Sequence, residues 1–475
     1  MNKLIYKITL MAMLVFSFAS CKKFLEKEPI GKVGKQVLFE DVNGAQLGLV
    51  GAYRLVLDYN RDEFGMHGDV ASDNMVYTPT PAAQFMGQSF NFSSTPEDDA
   101  LVTGHIWLSV FEALNNVNNV LNALPALKEK FPDQLSQIET IEGQALVLRA
   151  LCHFDLSKVY AQPYNFTADA SHLGVPVLTK TPSPGENVVR RSMKQTYDQI
   201  LLDITSALPL LNKYNNFTNQ ALVNYQAALG LLSRVYLYKG DWQNCLNTSN
   251  LVIADTRYKL ATATEYKSLY STYTPNANTS STKSEILFQL SGASIEKVSI
   301  TELNVIFASQ YGASSKLLNT FDADDIRKTQ LFNTLNSPRI YTTKYTAGAY
   351  AIKVVRLSEV YLNRAEANWN LKKYDDAKED LRVISQRAHP NQTINIGNPS
   401  PDDLYRLIAE ERNRELCFEG HRLYDLVRRK ESLTRGVDCN STVCTLTYPN
   451  DKFVLPITTK ELDANKGMKQ NPGYN

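Results

Sequence analysis

Apolar residues recur every three or four positions through most of this chain, the spacing that puts them on one face of a helix. After the caps Asp41 and Asn43, the run Leu49, Val50, Tyr53, Val56 and Leu57 predicts a helix over 35–59. Trp107, Val110, Leu114, Val117, Leu121 and Leu124 predict one over 104–130, and Ile138, Ile141, Ala145, Leu148, Cys152 and Leu156 one over 133–160. Further helices are expected over 192–211, 219–239, 242–255 and 351–388. Pro401, Asp402 and Asp403 then open a helix through Leu404, Leu407 and Ile408, which Gly420 is placed to close as C′, before a second short helix to about 430. The helical frame thus occupies about 35–59, 104–160, 192–255 and 351–430. The pattern lapses over 60–103 and 256–350, which are rich in turn residues and aromatics; Ile286–Leu290 and Arg339–Tyr345 are the strand candidates there.

Two stretches of the frame match at an offset of 132 residues, which lays Leu232 on Arg364, Trp242 on Tyr374, Cys245 on Ala377 and Val252 on Ile384. Each is helix, short turn, aromatic, small residue, helix. That is tetratricopeptide-like spacing, although ordinary hairpins converge on it too. Cys245 stands where Ala is usual, and Asn368 where the first stretch has Tyr236.

Continuing the stripe from Leu404 and Ile408 reaches Glu411, Glu415 and Phe418, so two carboxylates fall on the face expected to be buried. Buried carboxylates need partners. Arg412, Arg414 and Arg422 are at hand, and Arg149, Arg234 or Arg364 on other helices are candidates to reach across. A catalytic acid/base pair is one reading; a structural ion-pair network of Glu411, Arg412, Arg414, Glu415, Arg422 and Asp425 is the reading favoured here.

The N-terminus indicates the compartment. Lys3 and Lys7 precede an apolar run from Ile8 to Ala19, and the small pair Ala19-Ser20 stands directly before Cys21. This is the layout of an export signal, and Phe18-Ala19-Ser20-Cys21 resembles a bacterial lipobox, in which Cys21 carries the lipid; the other possibility is a plain signal with an incidental cysteine. The run is too short to span a bilayer. Removing residues 1–20 takes the 50 basic residues to 48 against 49 acidic, a balance of −1 that argues against a nucleic-acid partner. Cys152, Cys245 and Cys417 lie in helical patterns as small hydrophobes, while Cys439 and Cys444 are placed to close a small loop by a disulfide in an exported protein.

No GxSxG elbow, phosphate-binding glycine loop or HExxH is present, and the six histidines are scattered without ligand spacing. No catalytic residue, cofactor or metal is expected. A loop acid pair such as Asp98-Asp99 keeps a surface glycosidase as the least favoured reading. What remains is a supply of Tyr and Phe in the two irregular segments. Asp73, Tyr77, Phe85, Tyr273, Tyr311 and Tyr341 are the candidate ligand-binding residues, aromatic faces for sugar rings or peptide side chains with one acid beside them.

Glu411-Arg412-Asn413-Arg414-Glu415-Leu416-Cys417-Phe418-Glu419-Gly420-His421-Arg422-Leu423-Tyr424-Asp425-Leu426 closely resembles the C-terminal signature of the SusD/RagB-like outer-membrane lipoproteins of the Bacteroidetes. Leu357–Ala367, Leu455–Asn465, Gln470–Tyr474 and the tether after Cys21 match as well; Cys417 departs from the usual small apolar residue. The resemblance implies a mostly α fold, in which four tetratricopeptide-like hairpins form a frame and an irregular, loop-rich half with a few short strands binds the ligand. It implies a signal peptide at 1–20 and one SusD-like unit over 21–475. It also implies a lipid-anchored, cell-surface protein of the outer membrane. Such a protein would bind oligosaccharides, or in the RagB-like variant peptides, and deliver them to a SusC-like TonB-dependent transporter. The family motifs mark the frame and do not identify the ligand residues.

Overall fold

The computed structural model describes residues 34–78, 84–98, 102–183, 185–214, 219–270, 285–290, 303–333, 339–345 and 351–474. Cys21 with its lipobox, and Tyr273, lie outside the described residues. The fold is mostly α, as the periodicity predicts. Helices α1 (Val42–Arg61), α2 (Glu63–Val70), α3 (Val102–Lys130), α4 (Leu135–Tyr160), α5 (Met193–Lys213), α6 (Tyr225–Lys239) and α7 (Trp242–Ile253) come first, and α8 (Leu357–Asn370), α9 (Tyr374–Ala388), α10 (Pro401–Leu416) and α11 (Arg422–Arg428) follow the second irregular segment. Neighbours pack in chain order, α3 on α4, α4 on α5, α6 on α7, α7 on α8 and α8 on α9, with α1 against α3 across the first irregular segment. One hydrophobic core runs through this stack, and a small satellite formed by Ala365, Ala377, Leu381, Leu404 and Ile408 seals α8, α9 and α10.

Local chemistry sets the ends. Asp41 accepts from the Gly44 amide at the start of α1, Ser192 and Gln195 make a capping box on α5, and Asn224, Asp241 and Ser400 cap α6, α7 and α10. The 132-residue offset survives in three dimensions. Trp242 and Tyr374 each begin the second helix of a hairpin, Cys245 and Ala377 are both fully buried, and the turns between the helices place Gly240 and Lys372 at positive φ (75° and 61°). Both turns need that left-handed residue to reverse the chain, and the second spends a lysine on it.

Three expectations are corrected. Residues 60–103 are not simply loop: α2 is inserted there, and every residue of it but Gly65 is buried. Its period is obscured because helix buried on all sides carries no polar face, and Glu63, His67 and Asp69 sit inside it. Arg339–Tyr345 is not a strand, since only an isolated bridge links Thr342 to Phe332. Ile286–Leu290 is a strand, β4, but it pairs antiparallel with β6 (Ile352–Arg356), which stands where helix was expected to have begun. Two strands bury both faces and so show no alternation. The others are β1 (Met75–Tyr77) with β5 (Tyr311–Ala313), β2 (Leu173–Pro176) with β3 (Arg190–Ser192), and β7 (Leu433–Thr434) with β8 (Thr445–Leu446). No helix among the described residues is long and apolar enough to cross a membrane.

The C-terminal signature is the hub. Helix α10 ends at Leu416, four residues before Gly420, because Cys417 turns extended and Phe418 takes a positive φ of 63°. The turn that follows is held by α2: Asp69 accepts from the amides of Phe418 (3.0 Å) and Gly420 (2.6 Å). Gly68 lies so close that a Cβ on it would stand 2.2 Å from the Gly420 carbonyl oxygen. Nearby, Asp73 takes two bonds from Arg422 (2.7 and 2.9 Å), and Asn74 and Asn413 exchange amide bonds at 2.9 and 3.0 Å.

Candidate functional site

Glu411 and Glu415 are fully buried and wholly committed. Arg327 reaches Glu411 at 2.9 Å and Glu415 at 3.2 Å, Arg356 and Arg387 reach Glu415 at 2.8 and 2.6 Å, and Arg414 clamps Glu411 at 2.7 Å. Glu285 bridges Arg356 and Arg387, and Asp325 pairs with Arg327. Burial would raise the Glu411 carboxyl, but the guanidiniums of Arg327 and Arg414 outweigh it and hold it at about 2. A carboxylate fixed this way is a poor proton carrier near neutrality.

Arg412 and Arg428 grip Asp425, both at 2.8 Å, in a second cluster that continues from Arg428 and Arg429 to Glu366. The expected partners are therefore corrected in part. Arg414 serves Glu411, but Arg422 serves Asp73, while Arg149, Arg234 and Arg364 pair with Asp203, Glu359 and Asp380. The cations that do reach Glu415 come from β6, α9 and the second irregular segment. Nothing in the sequence signals which of its many arginines crosses to α10.

The aromatic candidates gather on the opposite side of this hub. Tyr77 and Tyr311 are cross-strand partners in the β1–β5 pair, with rings 5.8 Å apart at 63°. Phe90 packs edge-on to Tyr311 at 5.6 Å, and the Tyr311 hydroxyl donates to the Phe85 carbonyl (2.7 Å). The Phe85 amide in turn donates to Gln310 (2.8 Å). Tyr341 lies beside them, since the Ala313 amide donates to the carbonyl of its neighbour Ile340 at 2.7 Å. Tyr311 is buried and supports the cluster; Tyr77, Phe85 and Tyr341 are half-buried. Asp73 is removed from solvent: Arg422 and Lys316 (2.8 Å) overcome its burial and hold its carboxyl at about 2.

A second support is the loop closed by the Cys439–Cys444 disulfide. Asn440 accepts from the Tyr77 amide at 3.1 Å and donates to the Tyr77 carbonyl, Ser441 donates to the Phe90 carbonyl (2.9 Å), and Arg435 stacks on Phe90 at 4.3 Å. The cysteine spacing points to the loop, but not to its seat against Tyr77. Phe90, Gln310, Arg435 and Asn440 are parts of the site that sequence reasoning misses.

Between Asp73 and the outer face of α10 lies a cleft of about 360 Å³, reached by Lys316, Tyr405, Glu410, Arg422 and Glu431. Among the described residues no group of His, Cys, Asp and Glu is arranged to hold a metal ion.

Comparisons with known proteins agree on one family. Residues 252–474 match the model of the SusD family, and residues 23–237 match a second model described as starch-binding associating with outer membrane. SusD-like protein P2 of Formosa agariphila is 23% identical over 99% of both chains. A SusD superfamily protein from Bacteroides thetaiotaomicron is 26% identical with a TM-score of 0.80, covering 91% of this chain and 100% of that one. A Bacteroides vulgatus protein provisionally described as sugar-binding is 26% identical with a TM-score of 0.79, covering 92% and 99%.

Proposed function

From the premise that this chain is a SusD/RagB-like protein, we propose that it is lipid-anchored at Cys21 on the cell surface, captures oligosaccharides there and delivers them to a SusC-like TonB-dependent transporter of the outer membrane. Membership of this family makes it a binding protein rather than an enzyme. The observation that carries the sugar reading is the half-buried trio Tyr77, Phe85 and Tyr341, of which Tyr77 is held by β1, β5 and the disulfide loop, Phe85 by Gln310 and Tyr311, and Tyr341 by Asn333. Flat apolar faces on a rigid support stack on the faces of sugar rings at little entropic cost. The starch-binding description of the model matching residues 23–237 supports the same class of ligand. The two irregular segments contain no Trp, so stacking rests on Tyr and Phe.

Calorimetric titration with a panel of neutral oligosaccharides and of peptides tests the assignment. Oligosaccharides are expected to bind, and Tyr77→Ala to weaken them about tenfold, the loss of a well-set aromatic contact. Binding of peptides alone would move the protein to the RagB-like reading. For the anchor, Cys21→Ala is expected to shift the protein from the membrane fraction to the soluble fraction, because several acyl chains at about 0.8 kcal/mol per buried methylene supply the attachment. Full membrane retention of that variant would refute acylation at Cys21.

A further inference from the structure

The cleft between Asp73 and α10 has the size of a ligand site, since pockets for small molecules begin at roughly 300 Å³. Its floor is closed by bonds already made: Asp73 with Arg422 and Lys316, and Asn74 with Asn413. Its walls hold groups with bonding capacity to spare. Among the described residues, neither the Tyr405 hydroxyl nor the Glu431 carboxylate has a hydrogen-bond partner, and Glu410 meets Arg406 alone, at 3.2 Å. Burial raises the Glu431 carboxyl, although Arg429 and Arg422 pull it the other way. The Tyr405 ring is fixed by Trp369, 4.5 Å away.

Formal charges around the cleft cancel, with Asp73, Glu410 and Glu431 against Lys316, Arg406 and Arg422. A neutral wall of mixed acceptors and donors gives no preference to an ion. It suits adjacent hydroxyls, each able to donate and accept at once. We propose that this cleft is a second saccharide site, which takes one or two neutral sugar units through hydroxyl bonds to Glu431, Glu410 and Tyr405. It is distinct from the surface formed by Tyr77, Phe85 and Tyr341. The two are connected by β1, which runs from beside Asp73 to Tyr77, about 13 Å of extended chain. This inference rests on the reading of the protein as a glycan binder.

The test is titration of the mature protein with maltose, cellobiose, lactose and mannobiose, followed by calorimetry and by ligand-observed NMR. At least one disaccharide is expected to occupy two sites per chain. Glu431→Gln and Tyr405→Phe, which preserve shape, are each expected to weaken one of the two by about tenfold, the worth of a hydrogen bond to a charged or phenolic group, and to leave untouched the site that Tyr77→Ala weakens. A single site per chain, lost in Tyr77→Ala and unchanged in both cleft variants, would overturn the second site while preserving the aromatic one. A single site lost in the cleft variants and kept in Tyr77→Ala would support the cleft and overturn the aromatic surface. No binding of any disaccharide or longer glycan would overturn both.

Discussion

Glu415→Gln is expected to destabilise the protein by about 3–5 kcal/mol, the cost of breaking one partner out of a buried ion-pair cluster. Glu415 sits within 3.2 Å of Arg327, Arg356 and Arg387, all of them buried, and its main-chain carbonyl also accepts from Lys344 at 3.0 Å. The amide is isosteric, so no cavity opens; what is lost is the charge that three guanidiniums share. Glu285 remains on Arg356 and Arg387, and Asp325 on Arg327, so each arginine keeps a carboxylate while the cluster loses another. Denaturant unfolding, read as a midpoint shift at constant slope, measures the effect. A loss below 1 kcal/mol would mean that the remaining carboxylates neutralise the cluster unaided.

Acid is expected to unfold the protein cooperatively as pH falls from about 5 towards 2. The folded carboxyls of Glu411 and Asp73 are held at about 2, and those of Glu415, Glu366 and Asp425 are also pushed down; in each, burial acts upward and neighbouring arginines more than cancel it. For a depressed carboxyl the unfolded chain binds protons first. Its stabilisation is therefore complete above the unfolded value near 4 to 4.5 and drains away as pH approaches the folded one. Asp69 opposes this trend. Its burial lifts it to about 6, so its contribution is complete below the unfolded value and is lost as pH rises through 6. Burial raises Asp380 and Glu431 as well, but the depressed carboxyls outnumber these and leave the acid side as the weak one. Far-UV circular dichroism against pH at fixed ionic strength checks it, and stability unchanged from pH 7 to pH 3 would contradict it.

The sequence discloses the frame because α1, α3, α5, α7, α9 and α10 each bury one stripe and solvate the other, which is what a period of 3.6 records; α4 and α6, buried on nearly every side, show instead through their length and recurring apolar residues. It also discloses that Glu411 and Glu415 would be interior. It conceals α2, a buried helix that carries Glu63, His67 and Asp69 and so lacks a polar face to contrast with an apolar one. It conceals the strand character of Ile352–Arg356, whose side chains pack between β4 and the frame and run on into α8 without a break. The site is less legible still. Tyr77, Phe85 and Tyr311 meet, with the Tyr341 backbone nearby, but composition cannot distinguish Tyr311, which is buried and structural, from Tyr77, which is half-buried. Asp73, chosen as an exposed acid, is instead neutralised by Arg422, a residue 349 positions away. Pairings at that separation leave no local trace.

The clasp of α2 on the turn at 418–420 also constrains the order of events during export. Asp69, Asp73 and Asn74 each take a partner from residues 413–422, at separations of 339 to 351 residues, beside the nearer Asn74 amide on Asp69 and Lys316 on Asp73. While the chain is threaded through a membrane from its N-terminus, α2 can pack on α1 and α3, but Asp69 lacks its two backbone donors until residues 418–420 emerge. A chain interrupted before about residue 410 is left with an open seam along α2, the place where local unfolding of the truncated protein would begin.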